Sequence, residues 1–307
     1  MSGIAVLFPG QGSQSVGMLK DLHDEYASVR ATLSAASAAI DLDLAALMFE
    51  GPAENLNSTE NTQPALLAAS FAIWQLAKDK LPVPQLMAGH SLGEYSALVA
   101  AGAISLENGV RIVRKRGQLM QSAVPAGQGA MAAILNLDDA IIEEVCRSIS
   151  PEGLVGCANY NSPGQVVIAG KKELVEQAMA ACKERGAKRA LALPVSGPFH
   201  SALMRPAAEQ FAEFLRDIEI QMPHIPVLQN AQNRFATSID DIKNLLVEQI
   251  ASPVMWTQAV GIMATQGITQ AYEVGPGQVL SGLVKRINPE LPCSAVNNMA
   301  ALEGITQ

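Results

Sequence analysis

The chain has 307 residues, 49% of them hydrophobic and 16% charged, with a net charge of −8. That length buries a sizeable core, as one large domain or one domain with an insert, and the composition excludes a disordered chain. The acidic balance argues against non-specific nucleic-acid binding, and no apolar run reaches the ~18–20 residues that span a bilayer. Cys146, Cys157, Cys182 and Cys293 are widely spaced and form no Cys-x-x-Cys pair. With no basic N-terminal region ahead of an apolar run, this usage fits a reduced, cytoplasmic protein.

Ile4–Phe8 reads as a first buried strand, ending in the glycine-rich loop Pro9-Gly10-Gln11-Gly12-Ser13-Gln14. That loop is no dinucleotide fingerprint, because Ser15 stands where the third glycine belongs. It is no P-loop either, since no Gly-Lys-Ser/Thr follows. Helical patterns run to about residue 80, and Pro64–Lys80 is the clearest. Val83–Ala88 then predicts a short strand and Glu94–Ala101 a helix of mostly small residues. Between them stands Gly89-His90-Ser91-Leu92-Gly93. A Gly-x-Ser-x-Gly between strand and helix is the setting of a serine nucleophile on a sharp turn. The glycines permit the turn, and the helix N-terminus favours a developing oxyanion.

A helix follows over Ser105–Ser122, carrying Arg111, Arg114, Lys115 and Arg116. A solvated basic face accounts for three of these; one arginine turned into a cleft would grip a carboxylate with two parallel hydrogen bonds. Val124-Pro125-Ala126-Gly127-Gln128-Gly129 is a break and a domain boundary. Beyond it, Ala130–Leu135, Leu154–Asn159, Gln165–Ala169 and Ala190–Val195 read as strands, and Asp138–Ile149 and Lys171–Arg185 as helices. The order β-α-β-β-α-β is that of the ferredoxin-like unit. The expected organisation is therefore a large α/β domain over residues 1–126 and 197–307, interrupted by a ferredoxin-like insert over 127–196. In the large domain, short strands such as Pro226–Gln229 and Gln270–Val274 alternate with helices, which predicts a parallel sheet covered on both faces.

Serine needs a base, and the chain has four histidines. His90 leaves the backbone in a different direction from Ser91 and is expected to pack beneath the turn. His23 sits among Asp21, Asp24 and Glu25 on a solvated face, and His224 lies between prolines in a loop. His200 ends the loop Pro194-Val195-Ser196-Gly197-Pro198-Phe199-His200, where insert and large domain meet. Two readings stand for it: a base facing a cleft, or a packed, helix-capping residue. No acid between Ser91 and His200 stands out as a third member. A backbone carbonyl or an amide would then orient the histidine, which argues against a plain esterase.

Five motifs in register carry a resemblance over nearly the whole chain. They are Phe8–Gln14, Gly89–Tyr95, Arg114-Lys115-Arg116-Gly117, Gly197-Pro198-Phe199-His200-Ser201 and Glu273-Val274-Gly275-Pro276-Gly277. The chain resembles the malonyl-CoA:acyl-carrier-protein transacylases of fatty-acid synthesis and the acyltransferase domains of polyketide synthases. The resemblance implies a hydrolase-like core and a ping-pong transfer from malonyl-CoA to the phosphopantetheine thiol of acyl carrier protein. It implies Ser91 as nucleophile and His200 as base, with the backbone N–H groups of Gln11 and Leu92 as oxyanion hole. It further implies Arg116 as the malonyl carboxylate's partner, and Gln249 as the residue whose carbonyl orients His200. Phe199 and Leu92 match members that prefer malonyl to methylmalonyl groups. No metal or tightly bound cofactor is implied, and a monomer is expected. Lys188, Arg189, Lys285 and Arg286 are candidates for docking an acidic carrier or the CoA phosphates, or else ordinary surface charges. The alternatives are a trans-acting polyketide acyltransferase and a serine (thio)esterase of related fold.

Overall fold

The computed structural model describes residues 3–195 and 197–305; Ser196, the last residue of the expected insert, lies outside them. A six-stranded sheet is built from β1 (Gly3–Phe8), β2 (Leu86–Gly89), β7 (Val227–Gln229), β8 (Arg234–Phe235), β9 (Ile268–Val274) and β10 (Cys293–Val296). Its order is β10-β9-β1-β2-β7-β8, parallel throughout except for the β7–β8 pair. A second, four-stranded antiparallel sheet holds β3 (Gly129–Leu135), β4 (Val155–Ser162), β5 (Gln165–Lys171) and β6 (Arg189–Ala192), in the order β4-β5-β3-β6.

The central strand explains why the large sheet is covered twice. β1 reads GIAVLF and every residue is buried. Side chains alternate across a strand, so Val6 and Phe8 enter one apolar cluster while Ala5 and Leu7 enter another. The first cluster includes the helices Thr59–Ala77 and Leu92–Ala100; the second includes Trp256–Thr265 and Val279–Ile287. Each fully buried leucine there contributes roughly 2 kcal/mol of transfer free energy.

The small sheet divides its faces in the same way. Ala132, Ile134, Val166 and Ile168 pack under the helices Asp139–Ile149 and Lys172–Glu184 in a core of their own. Met131, Val167 and Ala169 face the first large-domain cluster instead. β4 also ties to the large unit through its backbone: Tyr160 N–H donates to the Val254 carbonyl at 2.9 Å, and Val254 N–H to the Ala158 carbonyl at 2.9 Å.

Prolines account for three boundary differences. β2 begins at Leu86 rather than Val83, because Pro82 and Pro84 flank Val83 and leave it 86% exposed. β6 stops at Ala192, before Pro194. The Thr59–Ala77 helix starts one turn before Pro64 instead of at it. Its residues Thr62–Ser70 are all buried, and that packing outweighs the one backbone bond a proline removes.

Candidate active site

β2 ends at Gly89 and the Leu92–Ala100 helix begins three residues later, so the chain reverses around Ser91. Ser91 has φ 52° and ψ −104°, a strained conformation for a residue with a Cβ. The strain persists because its surroundings leave no room to relax. A Cβ at Gly89 would collide with the Gly93 backbone, and one at Gly93 with the Phe8 carbonyl. Strand, turn and helix N-terminus are thereby pressed against the end of β1.

His200 reaches this turn from the loop after β6. Its Nε2 lies 2.7 Å from Ser91 Oγ, and its Nδ1 lies 3.0 Å from the Gln249 carbonyl. A carbonyl only accepts, so Nδ1 carries the proton and Nε2 is left to take one from the serine. His200 is 4% exposed and also adopts a positive φ, 58°. Burial, reinforced by the nearby Arg116 charge, pulls its pKa down from 6.5 to about 3. The imidazole is neutral at physiological pH.

Arg116 projects from the Leu106–Ser122 helix and is 1% exposed. It donates to Gln63 Oε1 at 2.8 Å, to Gln249 Oε1 at 2.8 Å and to Ser91 Oγ at 3.0 Å. Its guanidinium lies 5.2 Å from the Tyr95 ring centre, and its Nε has no hydrogen-bond partner among the described residues. Among the described residues this buried cation thus bonds to amide and hydroxyl oxygens and to no carboxylate. The buried Glu94 carboxylate acts on this charge through space without bonding it, which leaves the guanidinium able to take a directly bonded anion beside the serine hydroxyl.

A cavity of ≈ 120 Å³ brings together Ser91, His200, Arg116, Gln11, Leu92 and Phe199. Leu92 is the first residue of its helix, so its N–H has no carbonyl one turn earlier. Gln11 lies in the turn after β1 and anchors its side chain on Thr59 Oγ1 at 3.3 Å. Met131 and Asn159 close the cavity from the small sheet. The arrangement can deprotonate a serine and hold a negatively charged group beside it.

The comparisons with known proteins meet this geometry. Residues 6–286 match the acyl transferase domain. The chain belongs to that family and is an acyltransferase. It is 53% identical over 305 residues to the malonyl CoA-acyl carrier protein transacylase of Escherichia coli (strain K12), covering 98% of both chains. It is 48% identical to the transacylase of the same name from Bacillus subtilis (strain 168), covering 99% of this chain and 96% of that one. An acyl carrier protein S-malonyltransferase from Vibrio cholerae superposes with a TM-score of 0.96 at 51% identity, covering 99% of this chain and 100% of that one. A malonyl-transacylase solved in complex with its type II PKS acyl-carrier protein gives 0.97 at 50% identity, with 99% of each chain covered.

Of the remaining sequence candidates, His90 borders the same cavity and the others fall elsewhere. His90 lies under the turn, its Nε2 2.8 Å from Asn161 Oδ1 and its ring against Trp256, as expected. His23 is not on a solvated face: it is half-buried with its ring 4.8 Å from Phe49. Phe49, from the Leu44–Glu50 helix, covers that side. His224 is exposed. Of the basic helix residues only Arg111 is exposed, while Arg114 is half-buried and bonds the Ile40 carbonyl at the end of a neighbouring helix. Lys188, Arg189, Lys285 and Arg286 are exposed, and Arg286 bonds Gln165.

Two residues at the site had no reading from sequence. Asn230 Oδ1 accepts the Ser91 N–H at 2.7 Å, and Gln63 holds Arg116. Gln63 carries a legible signal, a polar residue leading into the apolar run of its helix. Asn230 carries none, since it follows a strand of three residues.

Proposed function

We propose that this chain transfers the malonyl group from malonyl-CoA to the phosphopantetheine thiol of an acyl carrier protein through a malonyl-Ser91 ester. The observation that carries the reading is Arg116, a buried cation whose hydrogen-bond partners among the described residues are all neutral, 3.0 Å from the serine oxygen. A neutral acetyl group would leave that cation without a directly bonded anion, while a malonyl carboxylate would supply one.

In the first half-reaction His200 Nε2 takes the Ser91 proton as Oγ attacks the thioester carbonyl. The N–H groups of Gln11 and Leu92 hold the resulting oxyanion. The C–S bond then breaks, and the CoA sulfur leaves with the proton from His200. In the second half the carrier thiol gives its proton to His200 and attacks the malonyl ester, and Ser91 recovers the proton. The Gln249 carbonyl fixes the tautomer that both halves use. A malonyl carboxylate on Arg116 also neutralises a charge that weakens His200 as a base. Arrival of the correct substrate therefore strengthens the base. Phe199 narrows the cavity against an α-branched acyl group. No metal or tightly bound cofactor takes part in these steps.

We read residues 127–196 as a ferredoxin-like insert in a hydrolase-like domain over 1–126 and 197–307; the βαββαβ element order and the strand order β4-β5-β3-β6 support that reading. We take the protein to act as a cytoplasmic monomer. Among the described residues no single helix is long and apolar enough to cross a membrane. A polyketide carrier is a second reading for the acceptor, favoured by the relative solved with its type II PKS acyl-carrier protein.

The test is mass spectrometry after mixing with malonyl-CoA. A malonyl adduct on Ser91, discharged by carrier protein and absent in Ser91→Ala, is expected. Steady hydrolysis unaffected by carrier protein would instead indicate a thioesterase. Comparing fatty-acid and polyketide carriers as acceptors separates the two transferase readings.

A further inference from the structure

Glu94 is a buried acid to which the acyl-transfer steps give no task. It lies in the first turn of the Leu92–Ala100 helix, the single charge there, with none of its surface exposed. Its Oε2 accepts the Asn230 N–H at 2.7 Å and Gln249 Nε2 at 2.8 Å, and its Oε1 accepts Gln229 Nε2 at 3.1 Å. Burial pushes its pKa up, and the same three donors together with Arg116 oppose that rise.

Two of those partners hold the reacting groups. Asn230 accepts the Ser91 N–H and donates from Nδ2 to the Gly89 carbonyl at 2.8 Å, so it fastens both sides of the turn. Gln249 Nε2 also donates to the Ser91 carbonyl at 3.0 Å, its Oε1 accepts from Arg116, and its backbone carbonyl holds His200. A side-chain amide can turn over. Gln249 keeps its oxygen toward Arg116 only while its nitrogen faces acceptors, and Glu94 Oε2 is one of the two. Turned over, it would set an N–H against the guanidinium, donor against donor.

We propose that Glu94 is the positioning residue of this site: its carboxylate fixes Gln249 and Asn230, and through them Ser91, His200 and Arg116 together. The consequence for malonyl selection rests on the transferase reading; the consequence for the Ser91–His200 pair does not. The role lies in reach, not in charge. Glu94→Gln keeps an acceptor oxygen where Oε2 stands, and its new NH₂ faces Gln229. Gln229 can answer by turning its own amide, since it lines a separate cavity of ≈ 440 Å³. Glu94→Asp keeps the charge but withdraws it by one methylene, out of hydrogen-bond reach of Asn230 and Gln249.

Labelling of Ser91 by a neutral fluorophosphonate reads the serine–histidine pair without any malonyl group. Glu94→Asp is expected to slow labelling ~100-fold and Glu94→Gln less than ~10-fold, with thermal melts showing both folded. In acyl transfer, Glu94→Asp also loses about tenfold of the malonyl-over-acetyl preference, which Glu94→Gln retains. Equal slowing by the two variants, or slower labelling of Glu94→Gln than of Glu94→Asp, overturns the proposal. Should Glu94→Asp fail to fold, a loss beyond ~100-fold in Glu94→Gln overturns it alone. Unsubstituted protein that is labelled but never malonylated would defeat the transferase reading and leave this one standing.

Discussion

The six-stranded and four-stranded sheets border the same cavity, yet the candidate reacting groups come from elements around the first, except His200, which arrives on the loop leaving β6. Ser91, Arg116, Gln249 and the Gln11 turn are set by parallel strand ends and by helices packed on them. The small sheet gives the wall residues Met131 and Asn159, and a tie from Asn161 to His90. The elbow is over-determined: two glycines in backbone contact, two buried amide side chains bonded to one carboxylate, and Asn230 bonded to both sides of the turn. The small sheet is held by its own apolar core and joined through bonds along β4 and through Met131, Val167 and Ala169, which pack into the first cluster. Chemistry needs groups fixed to a fraction of an ångström, whereas a wall needs shape.

Substitutions on either side break or sharpen that contrast. His200→Ala has the largest expected effect, a fall of about 10⁴- to 10⁶-fold in kcat measured by single-turnover acylation, with little change in melting temperature. A loss below tenfold would leave another group as the base. On the small-sheet side, Ile168→Ala empties a fully buried site in that core and is expected to cost about 2–5 kcal/mol in denaturant unfolding. Activity per folded molecule should stay within a few-fold. A large loss in molecules that remain folded would show that the wall sets the reacting groups after all.

Acid pH reaches the site through His200, held between Ser91 and the Gln249 carbonyl. The folded pKa of His200, about 3, lies below the ordinary 6.5, so the unfolded chain takes up a proton that the folded one refuses. Stability from this residue is complete above pH 6.5 and is lost as pH falls from there toward 3. Relative to His200→Asn, the parent chain should lose about 2 kcal/mol between pH 7 and pH 5 in urea titrations. Equal losses in the two proteins would place the histidine's folded pKa near its ordinary value. Smallest is Asn161→Ala, which cuts the tie to His90. About 1 kcal/mol of stability and a few-fold in kcat/KM are expected; a hundredfold loss would make β4 part of the machinery.

The serine turn was legible because its chemistry forces a local pattern. Strand, glycine, serine, glycine and helix must follow in order, and Gly89 and Gly93 cannot bear a Cβ. His200 was legible by elimination among few histidines. The orienting carbonyl was legible only as a type, because a backbone group leaves no residue signature; Gln249 came from the resemblance. Asn230 was invisible, since its short strand pairs with β2 across more than a hundred residues of chain. Pro64 misled the helix start, because local propensity yields to a face buried on both sides. His23 misled in the same way, its acidic neighbours giving no hint of Phe49.

On the proposed reading, one buried arginine turns a serine–histidine pair into a malonyl site. The direct measurement is kcat/KM of Arg116→Ala with malonyl-CoA and with acetyl-CoA against the parent chain. The malonyl value should fall about 10²- to 10³-fold and the acetyl value less than tenfold, so that the preference collapses. Equal losses with both substrates would contradict the account and make Arg116 a support for Ser91 alone.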